Sequence, residues 1–140
     1  MDERKEYMLK EIALVQEIIK RMASNSFLIK GWTITLVVAT LLLKGNKNQV
    51  LIVFIPLLVF WFLDAYFLWQ ERLYRKLYDW VVENRLKTDE HLFSMNAYRF
   101  KDKVQSKLRI MFSVTLGSFY GSIAVLTLVY TVYLFLSKGA

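Results

Sequence analysis

The chain has 140 residues, 56% of them apolar and 16% aromatic, against the roughly 45–50% apolar share of ordinary soluble domains. One Pro and 22% charged residues exclude a collagenous or disordered composition, and zero Cys excludes a disulfide framework, a thiol nucleophile and a thiolate metal site. The net charge of +7 invites a nucleic-acid reading until the placement of the charges is considered.

Residues 1–25 read as an amphipathic helix. Met8, Ile12, Val15, Ile19 and Met22 step by four, three, four and three, with Ile18 widening the stripe. This is a short heptad seam. The SNS at residues 24–26 reads as a break, with Ser24, Asn25 or Ser26 capping the next helix. Two separate helices are expected there.

Three apolar segments follow: residues 27–43 with Lys30 near the start, residues 50–69 with only Asp64 charged, and residues 110–136 with no charge. About 20 apolar residues cross a hydrocarbon core of about 30 Å, so each is expected to be a transmembrane helix. The third has length to spare for tilting. A charged preamble before the first segment, and no small-residue cleavage pattern in LLLKGNKNQ, argue against a signal peptide. Pro56 is expected to kink the second span.

Between the second and third spans, Leu73, Leu77, Trp80 and Val81 keep an apolar stripe, while Glu71/Arg75 and Arg75/Asp79 sit at pairing distance. The second helix is expected to continue to Arg85. Residues 86–96 break the pattern, and Tyr98, Phe100, Val104 and Leu108 restart it towards the third span. The expected architecture is an all-α membrane protein, residues 1–140 in one domain. Its second and third transmembrane helices extend into a stalk as a helical hairpin over residues 70–109, covered by the N-terminal helix.

Charge placement predicts orientation. Residues 1–26 hold five Lys and Arg and residues 70–109 hold ten, whereas Lys44, Lys47 and Lys138 are the basic residues of the remaining flanks. Cytoplasmic flanks collect Lys and Arg, so the N-terminus and the stalk are expected in the cytoplasm and the C-terminus in the periplasm. Topology and attraction to anionic lipid account for the basic excess, and nucleic acid is not an expected partner.

RMASNSFLIKGW at 21–32 and LDAYFLWQERLYRKLYD at 63–79 resemble a recurrent pattern in small bacterial multi-pass membrane proteins usually labelled hypothetical. The plan is similar to the SLATT-type and RipA-type membrane effectors of antiviral systems over about the first 85 residues. The third span departs from that two-span plan. The resemblance implies a homo-oligomer in the bacterial inner membrane and action as a pore or membrane-disrupting effector.

Candidate functional residues are few. Lys30 and Asp64 can reach similar depth in an antiparallel hairpin, either as a static intramembrane ion pair or as part of an ion path. Thr33, Thr35 and Thr40 can line a wet path or bond back to their own helix. Ser113, Gly117 and Gly121 are spaced by four, suited to close helix packing within the chain or between subunits. Arg85 and His91 have the R-x5-H spacing of HEPN ribonucleases, or form a solvated turn. Trp32, Trp61, Trp69, Tyr66, Tyr74, Tyr78 and Trp80 read as interface anchors and stalk packing. No Walker loop, GxGxxG, HExxH or GxSxG occurs. No catalytic, cofactor or metal site is expected, and the chain is read as not an enzyme. The functional alternatives are an oligomeric membrane effector or channel, and a docking or regulatory subunit for a soluble cytoplasmic partner.

Overall fold

The computed structural model describes residues 2–43 and 47–137, with nothing said of the side chains of residues 47–49. The regular elements among the described residues are all helices, with no strand: α1 (Asp2–Leu42), α2 (Lys47–Ile52), α3 (Phe54–Asn84), a 3₁₀ segment (Ala97–Lys103), α4 (Lys107–Met111) and α5 (Val114–Ser137). Three stretches, Asp2–Leu42, Val50–Asn84 and Val114–Ser137, are long and apolar enough to cross a membrane, which suggests membrane association.

The expected break at SNS does not occur. α1 is one helix of 41 residues, about 60 Å long at about 1.5 Å per residue. Its inward stripe, Glu11, Val15, Ser26, Ile29, Thr33 and Val37, runs straight through the triplet. Val15, Ser26 and Val37 are eleven apart, and eleven residues complete three helical turns. Ser26 is therefore a facing residue. Its hydroxyl reaches across to Asp64 instead of capping a helix.

α3 lies antiparallel along α1, so the ends of α1 meet opposite ends of α3 in order: Glu11 with Arg85 and Lys30 with Asp64. In the basic half, Leu73, Leu77 and Val81 of α3 are about 1% exposed and meet Val15, with Met8, Ile12 and Ile19 packed around them. The heptad seam is thus consumed inside the chain. Glu71 and Arg75 pair at 2.7 Å, whereas Asp79 is 3.8 Å from Lys76 rather than bonded to Arg75.

Pro56 begins α3 instead of bending it. Its missing N–H leaves the Ile52 carbonyl without the usual partner, and its ring crowds that carbonyl. The ladder tightens at Val53 between α2 and α3, where Val53 keeps helical dihedrals (φ −57°, ψ −33°) and its N–H donates to Val50 O at 3.2 Å. Pro56 then occupies the first turn of α3, where a missing donor costs nothing.

The third span is not extended into the stalk as a single helix. The 3₁₀ segment ends at Val104, whose φ −120° and ψ 143° are extended. Ser106 caps α4, its Oγ accepting from Arg109 N–H at 3.4 Å. α4 stops at Phe112 (φ −95°, ψ 15°) before α5 starts at Val114. A β-branched Val104 and a hydroxyl at Ser106 both favour leaving the helix at this point. Ala97, Phe100 and Ile110 still bury themselves on α3.

Candidate functional site

Two polar centres lie between α1 and α3. The first is centred on Asp64, whose side chain is 0% exposed. Lys30 Nζ donates to its Oδ2 at 2.6 Å and to Ser26 Oγ at 2.9 Å, while Ser26 Oγ donates to Asp64 Oδ1. Tyr120 of α5 donates its hydroxyl to Oδ2 at 2.9 Å. The carboxylate therefore has a cation and two hydroxyls, one partner set from each long helix. Burying a carboxylate without such partners costs several kcal/mol. Lys30 keeps 24% of its side chain exposed and lies 5.9 Å from the Phe119 ring centroid, with its stem along apolar surface.

Sequence pointed to Lys30 and Asp64, and the structure brings them together. It did not point to Ser26 or Tyr120. Ser26 carried a signal, since it precedes Lys30 by one helical turn. Tyr120 carried none, because its meeting with Asp64 depends on how α5 is hung.

Trp61 hangs it. The indole Nε1 donates to Met111 O at 2.8 Å, a carbonyl that the α4–α5 break has released from its helical partner. The same ring stacks on Tyr120 at 5.8 Å and meets Phe112 edge-on at 5.4 Å. Trp61 is thus a packing clamp, partly buried, rather than an anchor facing lipid.

The threonines of α1 bond to their own helix: Thr33 to Ile29 O at 2.8 Å, Thr35 to Gly31 O at 2.9 Å and Thr40 to Leu36 O at 2.8 Å. Thr33 is 1% exposed and sits beside the Tyr120 hydroxyl, so its oxygen faces the interior of this chain. Thr40 is half-buried. The small residues of α5 divide. Ser113 precedes the helix, its hydroxyl buried without a partner, and a Cβ on Gly117 would touch the Phe112 backbone at 3.5 Å. A Cβ on Gly121 would meet nothing within 4 Å. The backbones of α1 and α5 do not approach each other closely, so these glycines do not serve a contact with α1.

The second centre closes the far end of the helix pair. Arg85 is 0% exposed and Glu11 1%. All five guanidinium donors are used: Nε and Nη2 on Glu11, Nη1 on Thr88 O at 2.8 Å and Glu90 O at 3.0 Å, and Nη2 also on His91 O at 3.3 Å. Glu11 Oε1 also accepts Phe93 N–H at 2.7 Å. These bonds hold a turn in which His91 and Phe93 both have φ 55°, a region costly for bulky side chains. Trp80 roofs the centre, with the Arg85 and Arg99 guanidinium carbons 5.3 and 4.3 Å from its ring centroid. Burial, and after it the charge of Arg85, lowers the Arg99 pKa. Arg85 has no donor left for a phosphate, and the His91 side chain is half exposed beside Glu90. The pair R-x5-H is drawn together as a turn organiser.

Comparison with protein-family models, with curated proteins and with solved structures returns no match.

Proposed function

We propose that the chain is a non-catalytic, homo-oligomeric protein of the bacterial inner membrane, an effector or channel-like assembly that perturbs the membrane when its cytoplasmic stalk is displaced. In this reading the N-terminus and residues 70–109 are cytoplasmic and the C-terminus is periplasmic, following the Lys and Arg bias. The observation that carries assembly is the open face of α5, where Ser118 and Ser122 are exposed and Gly121 has free space beyond it. Small residues let a second helix approach closely in lipid. Residues 2–22 do not supply that surface, because their seam is already used by α3. The continuity of α1 and α3 supports the coupling, since each runs unbroken from the stalk to the depth of Asp64. The likeness to antiviral effectors supports the same assembly.

The test uses the absence of native Cys. Ser122→Cys should give disulfide-linked dimers in native membranes, Gly121→Leu should abolish them, and overexpression should cause ion leakage that the same substitution relieves. A product ending at the monomer, with no leakage, rejects the effector. Reporter fusions at Gly45 and Ala140 should both read periplasmic. The second reading, a docking or regulatory subunit for a soluble partner, is favoured by the closure of the Asp64 carboxylate, whose oxygens are taken up by Ser26, Lys30 and Tyr120 of the same chain.

A further inference from the structure

A cleft of about 710 Å³ opens in the basic half, between α1, α3 and the extended connector that follows the 3₁₀ segment. Five basic side chains line it: Lys20 from α1, Arg72, Arg75 and Lys76 from α3, and Lys103 at the end of the 3₁₀ segment. Asp79 is the one carboxylate among the lining residues. Arg75 is neutralised by Glu71 at 2.7 Å, and Asp79 is only 3.8 Å from Lys76. Among the described residues Arg72 makes a single hydrogen bond, to the neutral Gln105 at 3.4 Å. Lys20 has no ion pair among the described residues, and Lys103 lies 5.6 Å from the Phe100 ring centroid. Three separate elements thus aim uncompensated positive charge into one concavity. Such a concentration of one sign of charge in a concavity raises the local potential and attracts an anion.

We propose that this cleft binds a phosphate-bearing organic anion. Guanidinium and ammonium donors together suit phosphoryl oxygens, Arg72 as a planar fork and the lysines as point charges. The volume lies within the roughly 300–1,000 Å³ of small-molecule sites, larger than an inorganic ion needs. The cleft's position admits two sources. Lys107 lies 4.7 Å over the Trp69 ring and Lys101 5.2 Å over Tyr98, a belt of aromatic rings and cations of the kind found at head-group level. Arg72 is three residues beyond Trp69, about 5 Å along the helix. An anionic lipid head group can therefore enter from the membrane side, a source that rests on the membrane reading, and a soluble phosphorylated ligand can enter from the aqueous side.

The full chain in detergent micelles is titrated calorimetrically with adenosine diphosphate, and the reconstituted chain is compared in phosphatidylcholine vesicles with and without phosphatidylglycerol. Thermal stability is the readout in the vesicles. Arg72→Gln and Lys103→Gln, both at accessible positions, should each weaken the response about tenfold. Lys5→Gln and Lys87→Gln, outside the cleft, should leave it unchanged. Asp79→Asn should tighten it about threefold, as removal of one like charge near the ligand predicts, an effect that misfolding cannot imitate. Saturable binding of the nucleotide that follows this pattern assigns a soluble ligand, and stabilisation by phosphatidylglycerol alone assigns a lipid. No response to either, or equal losses in all four cation variants, overturns the proposal. None of these readouts depends on oligomerisation or leakage.

Discussion

The same two helices bury a carboxylate twice, and the two sites solve the problem differently. Glu11 and Arg85 are both sealed, with backbone N–H and carbonyl groups completing the set. Asp64 is sealed, but its cation is partly open and its other donors are neutral hydroxyls. At the basic end the exchange partner for each group in the unfolded chain is water, so a broken pair leaves a charge that has lost its solvent. In an apolar surrounding the unfolded reference also lacks water, and polar contacts there are worth less than intuition suggests. The comparison teaches that the clamp at the basic end, not the network at Asp64, dominates the fold's tolerance to mutation.

Breaking the clamp should have the largest effect. Arg85→Met strands Glu11 and should cost about 3–5 kcal/mol, and the double variant Glu11→Met with Arg85→Met should recover much of it. Denaturant unfolding in mild detergent checks both, and equal losses in the single and double variants would refute the clamp. At the other centre, Lys30→Met and Asp64→Asn should each cost about 1–2 kcal/mol and couple by at least about 0.5 kcal/mol. Strict additivity in the cycle would mean that the two residues touch without consequence.

Trp61→Phe keeps most of the ring area and removes the bond to Met111 O. A loss of about 1 kcal/mol, with faster hydrogen exchange around residues 112–116, is expected. The smallest effect sharpens the contrast between sealed and open pairs. Lys10 bonds Glu6 at 2.6 Å on an exposed surface, and that bond holds the Glu6 carboxyl below its usual range. Whatever it contributes is present above the ordinary glutamate pKa and is lost as the pH falls through the lower folded value. Lys10→Gln should raise the Glu6 titration midpoint in carbon NMR and leave the unfolding midpoint unchanged.

Periodicity exposed the long elements, and local chemistry misled at their joints. The α3 stripe of Leu73, Leu77 and Val81 was legible because a soluble-type amphipathic face repeats every turn. SNS reads as a cap because hydroxyl and amide side chains are usual caps, and the one local sign that Ser26 faces an aspartate 38 positions away is its place a helical turn before Lys30. Glu11 drew no attention in the sequence, where it stands between Lys10 and Ile12. Its signal was positional: it lies three residues after Met8 and four before Val15, on the buried stripe. The break before α5 was hidden because apolarity over residues 110–136 is uniform, so composition says nothing about where the backbone turns. Tyr120 depended on that turn.

The interruption at Phe112–Ser113 makes α5 a separable part. α1 and α3 contain their own ladders from end to end, and α5 joins them through the Trp61 hydrogen bond and ring contacts, the Tyr120–Asp64 bond and the packing of Leu116 and Phe119, with Thr127 and Thr131 buried further along. A chimera in which the exposed residues beyond 121 come from an unrelated apolar helix, with Phe112, Tyr120 and the buried Thr127 and Thr131 kept, should retain the α1–α3 pair intact. The outer surface of the bundle can thereby be exchanged without rewriting its frame.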